Sequence, residues 1–254
     1  MPIAAPPLYP ARGRGFVPIR PSDESGGGAV SGGRGQASRG GPEGGARPRV
    51  GLFGGSFDPV HEGHLHAART ARDAFGLERV VFVPAARPPH KPGRALAPAH
   101  HRLAMLELAL ATEASFTVDP LELSRPGPSF TIDTVSEFET RAGGPAAVEL
   151  FLILGSDNLA GLGSWLAVGE LLARVRPVVV GRGADAATLL ENLREELGAA
   201  AVARLEDGLL DLPPVDAAAT DLRERLARGE DPGAPLAPTV LEYARAHDLY
   251  TGAR

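Results

Sequence analysis

Cysteine is absent from the chain. That excludes a disulfide framework, a cysteine-ligated metal and thiol catalysis, and it agrees with a cytoplasmic setting. No apolar run approaches the ~20 residues that a membrane-spanning helix needs. The N-terminus lacks the compact apolar stretch of a secretory signal. Positive charge is also in short supply. The net charge is −5 over 254 residues, and it is unevenly spread. Residues 1–49 carry seven Arg against three acids, a local +4, so the remainder stands at −9. A domain built to bind a polyanion is usually basic. Nucleic acid is therefore not expected as a partner of the folded part, and any phosphate must be held locally with the help of a metal ion.

Apolar residues make up 43% of the chain, an ordinary globular share that can bury a full core. The length suits one domain plus a tail. Residues 1–48 hold 12 of the 32 Gly and 8 of the 24 Pro. Such a stretch cannot bury enough apolar surface to offset its ordering entropy, so 1–48 is expected to be disordered. The folded domain is expected over 49–254. The basic Gly/Arg tail can also touch RNA or a partner, or be a dispensable extension.

From Arg49 onward strands alternate with helices. Short buried strands are predicted at 50–53, 80–83, 116–118, 150–154, 177–180 and 209–212. Several, such as Val80–Val83, are apolar on both faces, as parallel strands are. Helices are predicted at 64–75, 100–112, 131–141, 187–198, 219–228 and 238–246, with a Pro-rich loop from Pro84 to Pro98. This order predicts an α/β domain with a doubly wound, Rossmann-like parallel sheet, whose ligands lie beyond the carboxyl ends of the strands.

The most informative stretch is Gly54-Gly55-Ser56-Phe57-Asp58-Pro59-Val60-His61-Glu62-Gly63-His64-Leu65. It follows the first strand and opens a helix. Small residues there let backbone N–H groups approach a phosphate, and the helix start adds donors and partial positive charge. His61 and His64 flank Gly63 and can both donate to non-bridging phosphate oxygens, more strongly as charge builds in a transition state. The loop has neither the Gly-Lys-Ser/Thr of a Walker A motif nor a Gly-x-Gly-x-x-Gly pattern.

This run resembles the His-x-Gly-His signature of the nucleotidylyltransferase superfamily, in the version typical of bacterial nicotinate-mononucleotide adenylyltransferases. The resemblance extends from about Val50 to Tyr250. It implies transfer of AMP from ATP to nicotinate mononucleotide, with Gly54, Gly55, Ser56, Phe57, His61, Gly63 and His64 at the ATP, and Ser56 and Phe57 acting through their backbone. Val83-Pro84-x-x-x-Pro88-Pro89-His90-Lys91 is similar to the family's next loop, which makes His90 and Lys91 candidate phosphate or substrate contacts. Arg102, Met105 and Ala109 match a structural helix. Pro128-Ser129-Phe130-Thr131-x-Asp133-Thr134 is similar to the block whose Thr hydroxyl and amides bind the nicotinate carboxylate, here Thr131. Gly155-Ser156-Asp157 and Trp165, the only Trp, match residues that bind ribose and stack on the pyridine ring. Relatives carry an aromatic residue or His after that Trp, where this chain has Leu166. Arg182 matches an Arg that approaches the acceptor nucleotide.

In the last block, Thr220 and Arg223 align with residues that grip the β- and γ-phosphates. Ala218 and Ala219 stand where relatives carry hydroxyls. By resemblance, His61, His64 and Arg223 are the catalytic groups. Mg²⁺ is expected to be bound mainly through ATP phosphates and water, with no protein cage. Two other readings stand beside this one. The first is another transferase of the superfamily, such as one taking nicotinamide mononucleotide. The second is a non-catalytic nucleotide-binding protein with a degenerate ATP site.

Overall fold

The computed structural model describes residues 46–86, 96–181, 183–212 and 218–251. Apart from its last three residues, the extension expected at 1–48 lies outside these. Six strands form one sheet: β1 (Arg49–Gly55), β2 (Arg79–Pro84), β3 (Phe116–Val118), β4 (Glu149–Gly155), β5 (Arg176–Gly181) and β6 (Leu209–Asp211). Every pairing is parallel, and the order is β3-β2-β1-β4-β5-β6. The predicted doubly wound sheet is what the chain adopts.

Nine helices among the described residues cover the sheet: α1 (Glu62–Phe75), α2 (Ala99–Leu110), α3 (Leu121–Ser124), α4 (Thr131–Ala142), α5 (Val168–Arg174), α6 (Gly183–Leu197), α7 (Ala199–Asp207), α8 (Ala219–Ala227) and α9 (Pro238–Ala246). A 3₁₀ segment spans Ser156–Ser164. Neither it nor α3, α5 and α7 was predicted. Helix α1 starts two residues before its expected position and α6 four residues before.

The strands alternate between two cores, because successive side chains leave a strand on opposite faces. Val50, Leu52, Val81, Val83, Leu150, Leu152, Leu154 and Val179 enter one core, shared with α4, α5, α6 and α7. Phe53, Val80, Phe82, Phe151, Ile153, Val178 and Val180 enter the other, shared with α1, α2, α8 and α9. Burying each such side chain stabilises the fold by roughly 1.5–3 kcal/mol relative to exposure. Helix α1 meets the sheet through Leu65, Ala67, Ala68 and Ala71. Three alanines on that face allow a close approach. The helix stops at Gly76, whose φ of 59° is left-handed and whose N–H returns to the Arg72 carbonyl, an arrangement glycine adopts without penalty. No helix among the described residues is long and apolar enough to cross a membrane.

Candidate active site

Strands β1 and β4 lie side by side at the centre, and the connections leave them in opposite directions. A crevice opens at the carboxyl ends of two such strands. The glycine loop closes one side of it. Phe57 has a φ of 48° and is 1% exposed. Its ring turns down into the core, edge-on to Phe53 at 5.7 Å and 5.0 Å from the His64 ring. A Cβ on Gly55 would come within 2.9 Å of the Phe57 ring, so the loop folds back on itself only with glycine there. The buried ring leaves only the backbone of Phe57 facing the crevice side of the loop.

His61 caps α1 and His64 sits one turn in. Their ring centroids are 3.8 Å apart. The His61 amide donates to His64 Nδ1 at 3.2 Å, which leaves the proton of a neutral His64 on Nε2. His61 is 9% exposed, and its Nδ1 is buried without a hydrogen-bond partner. Burial lowers its pKa from 6.5 to about 4, so it is neutral at neutral pH. Not every amide at this helix start is open to a ligand. That of Glu62 donates to the Pro235 carbonyl at 2.9 Å.

Distant elements brace the loop. Arg102 of α2, 1% exposed, donates to the Ser56 carbonyl at 2.7 Å and to the Ala97 carbonyl at 3.0 Å. Burial pushes its pKa down, opposed by the nearby Asp58 carboxylate. Arg223 of α8 donates to the Asp58 carbonyl at 2.6 Å and to the Thr220 hydroxyl at 3.0 Å. The fold thus brings Thr220 and Arg223 to the same loop as the two histidines. Helix α8 begins at Ala218 with no side-chain cap.

Beside the loop lies a pocket. Its lining includes Gly54, Gly55 and Ser56 of the loop, Ser129, Phe130, Thr131 and Thr134 around the start of α4, Asn158, Trp165 and Leu166, and the strand residues Leu52, Leu152 and Leu154. Helix α4 opens onto it at Thr131, after Phe130, with no side-chain cap. The Asp133 amide already donates to the Phe130 carbonyl at 3.2 Å, so the donors that this helix start offers an anion are the amides of Thr131 and Ile132. Trp165 is half-buried, and Leu166 is 51% exposed at the rim.

Sequence reasoning missed Glu122. It is 6% exposed, lines the pocket and accepts a bond from the Thr134 hydroxyl at 2.6 Å. Burial raises its pKa, against the hydrogen bonds from Thr134 and Ser129. It thus ties α3 to both ends of the turn that presents Thr131. Asp157 is exposed beside Gly155, and Asn158 is the residue of that segment that lines the pocket. His90, Lys91 and Arg182 lie outside the described residues. The described residues contain no group of three or more His, Cys, Asp or Glu able to hold a metal ion.

Residues 52–225 match the family described as cytidylyltransferase-like. The chain belongs to this family. Its relatives include a probable nicotinate-nucleotide adenylyltransferase of Gloeobacter violaceus, 41% identical over 80% of this chain and 96% of that protein. Another, from Laribacter hongkongensis, carries the same name and is 42% identical over 80% of this chain and 95% of that protein. Within the cytidylyltransferase-like family, the chain thus groups with the nicotinate-nucleotide adenylyltransferases. Among solved structures, the Plasmodium falciparum nicotinic acid mononucleotide adenylyltransferase complexed with NaAD superposes with a TM-score of 0.63. It is 16% identical and covers 80% of this chain and 98% of its own. At that identity the likeness is one of fold.

Proposed function

We propose that this chain transfers the AMP of ATP to nicotinate mononucleotide, giving nicotinate adenine dinucleotide and pyrophosphate in the biosynthesis of NAD. The observation that carries this reading is the uncapped start of α4. It opens at Thr131 into a pocket that Trp165 also lines, next to the loop that leads to the histidine pair. Free amides suit a carboxylate, a flat indole suits a pyridine ring, and the histidines suit a phosphate. The names of the relatives support the same reading, as does the dinucleotide in the Plasmodium falciparum complex.

The acceptor phosphate is already an anion at neutral pH. Its oxygen attacks the α-phosphorus in line, the bond from α-phosphorus to the bridging oxygen breaks, and pyrophosphate leaves. The protein's part is positioning and charge stabilisation. His61 and His64 donate to the α- and β-phosphate oxygens, and Thr220 and Arg223 hold the outer phosphates. Thr131 and the α4 amides hold the nicotinate carboxylate, Trp165 stacks on its ring, and Asp157 or Asn158 meets a ribose hydroxyl. Mg²⁺ would be held by the triphosphate and water and not by a protein cage, and would supply charge neutralisation for the leaving pyrophosphate. The absence of cysteine and the water-soluble substrates support a reaction in the cytoplasm.

The test is pyrophosphate release from ATP and Mg²⁺ with nicotinate mononucleotide, with nicotinamide mononucleotide and with no acceptor, beside a His64→Ala control. Release that requires the acid acceptor and collapses in the control supports the reading. Saturable ATP binding without release from folded protein would replace it with a binding role, the alternative that Ala218 and Ala219 motivate.

A further inference from the structure

Asp58 has no part in the chemistry above, yet remote parts of the chain converge on it. It lies three residues before His61 and is 3% exposed. Its Oδ1 accepts a hydrogen bond from the Tyr250 hydroxyl at 2.7 Å and a longer one from the Ala97 amide at 3.3 Å. Its Oδ2 is buried with no hydrogen-bond partner. A carboxylate taken out of water this far depends on the bonds that its other oxygen makes. Its carbonyl takes the Arg223 guanidinium, and the Arg102 guanidinium holds the carbonyl of Ser56, two residues earlier.

Tyr250 reaches this point from the far end of the chain, across 192 residues. The approach is costly. After α9 the backbone passes through left-handed conformations at Asp248, φ 50°, and at Tyr250 itself, φ 64°. Residues other than glycine pay roughly 1–2 kcal/mol each in that region. Leu249 between them is 8% exposed, and its amide returns to the Ala244 carbonyl at 2.9 Å. Strain of this kind persists where the surroundings enforce it, and it gathers at functional sites. Here it aims a phenol at a carboxylate in the phosphate loop.

We propose that Tyr250 is a positioning residue for adenylyl transfer. Its hydroxyl holds the Asp58 carboxylate, Asp58 fixes the turn from Phe57 to His61, and that turn sets the histidine pair against the triphosphate. The inference rests on the transfer reading above. It makes Tyr250, 192 residues from Asp58 in sequence, part of the apparatus that orients the reacting phosphates.

The test compares Tyr250→Phe with Tyr243→Phe. The second variant removes a hydroxyl that bonds His101 Nδ1 at 2.9 Å, in the same region but away from the Asp58 hook. Two readouts are needed: steady-state pyrophosphate release, and hydrogen exchange of the apo protein. Tyr250→Phe is expected to lower kcat about tenfold, the usual effect of losing a hydrogen bond to a charged group. The KM for nicotinate mononucleotide should stay within about twofold, because the acceptor pocket is built from other residues. Exchange should quicken across residues 54–64 and not across 150–154 of β4. Tyr243→Phe should change neither readout. Combining Tyr250→Phe with Asp58→Asn should cost little more than Asp58→Asn alone. Equal losses in both Tyr variants, an unchanged kcat in Tyr250→Phe, or a uniform rise in exchange would overturn the proposal. A parent protein that releases no pyrophosphate would overturn the transfer reading, and the exchange pattern would then decide by itself whether Tyr250 holds the loop.

Discussion

His64 Nδ1 accepts the amide proton of His61 at 3.2 Å, and this single bond orients both the helix start and the imidazole. It satisfies the N-cap amide, the donor that a Glu or Gln side chain at this helical position serves in a capping box, and it leaves the proton of a neutral His64 on Nε2. On the proposed reading the residue serves the helix start and the phosphates together. His64→Ala should therefore lower kcat by roughly 10²–10³, the usual cost of losing one oxyanion donor. The KM for nicotinate mononucleotide should change little. Initial rates at saturating ATP test this, and a rise in KM with an unchanged kcat would refute it.

His61 predicts the shape of the acid limb of stability. Its pKa falls from 6.5 to about 4 on folding because burial removes the charged form from water. Between those values the unfolded chain binds a proton that the folded chain does not. Stability thus rises with pH through this window and falls as the solution is acidified from about 6.5 to 4, by up to ~3 kcal/mol. Above 6.5 the effect is absent. Urea midpoints measured at pH 7 and pH 4.5 for the parent and for His61→Asn should converge toward acid. An identical slope in both proteins would count against a buried, neutral His61.

Trp165 is half-buried and lines the pocket assigned above to the acceptor. Trp165→Ala should raise the KM for nicotinate mononucleotide about tenfold, in keeping with the loss of an aromatic stack together with its contact area. The KM for ATP should be preserved. Rate measurements with each substrate varied in turn distinguish the two. Equal shifts in both constants would mean that the residue only fills the core.

Helix α8 offers a gain instead of a loss. Its N-cap is Ala218, with no side-chain hydrogen bond, and Thr220 and Arg223 follow within its first turns. Ala218→Ser should stabilise the protein by about 1 kcal/mol through capping. It should also lower the KM for ATP severalfold if the hydroxyl reaches a phosphate. A thermal melt reads the first effect and ATP titration of the rate reads the second. A higher melting temperature with an unchanged KM would confine the serine to capping.

Much of the fold was legible because its strands are uninterrupted apolar runs, such as Val80–Val83 and Leu150–Leu154. Segments with weak local signals escaped. Helix α3 has four residues and follows Pro120. The 3₁₀ segment contains Gly161 and Gly163, and α5 carries Gly169 near its start. Helix α7 opens directly after Gly198, where a glycine reads as the end of an element. The site divided in the same way. The histidine pair, Thr131 and Trp165 sit in motifs that single them out in the sequence, and the fold places them at the loop and the pocket beside it. Glu122, Asn158 and the Tyr250 hook do not. Glu122 and Tyr250 act through partners set by the tertiary path, and nothing in the residues around Tyr250 points to Asp58 at the other end of the domain.

The two cores separated by the sheet carry different duties. The histidine pair stands above the core that contains Phe53, Phe57 and Leu226. The acceptor pocket stands mostly above the other, on Leu52, Val83, Leu152 and Leu154. On the proposed function, one face of the sheet supports the activation of the nucleotide and the opposite face supports the acceptor. Substitutions beneath the pocket, at Leu152 or Leu154, are therefore expected to disturb acceptor binding more than ATP binding.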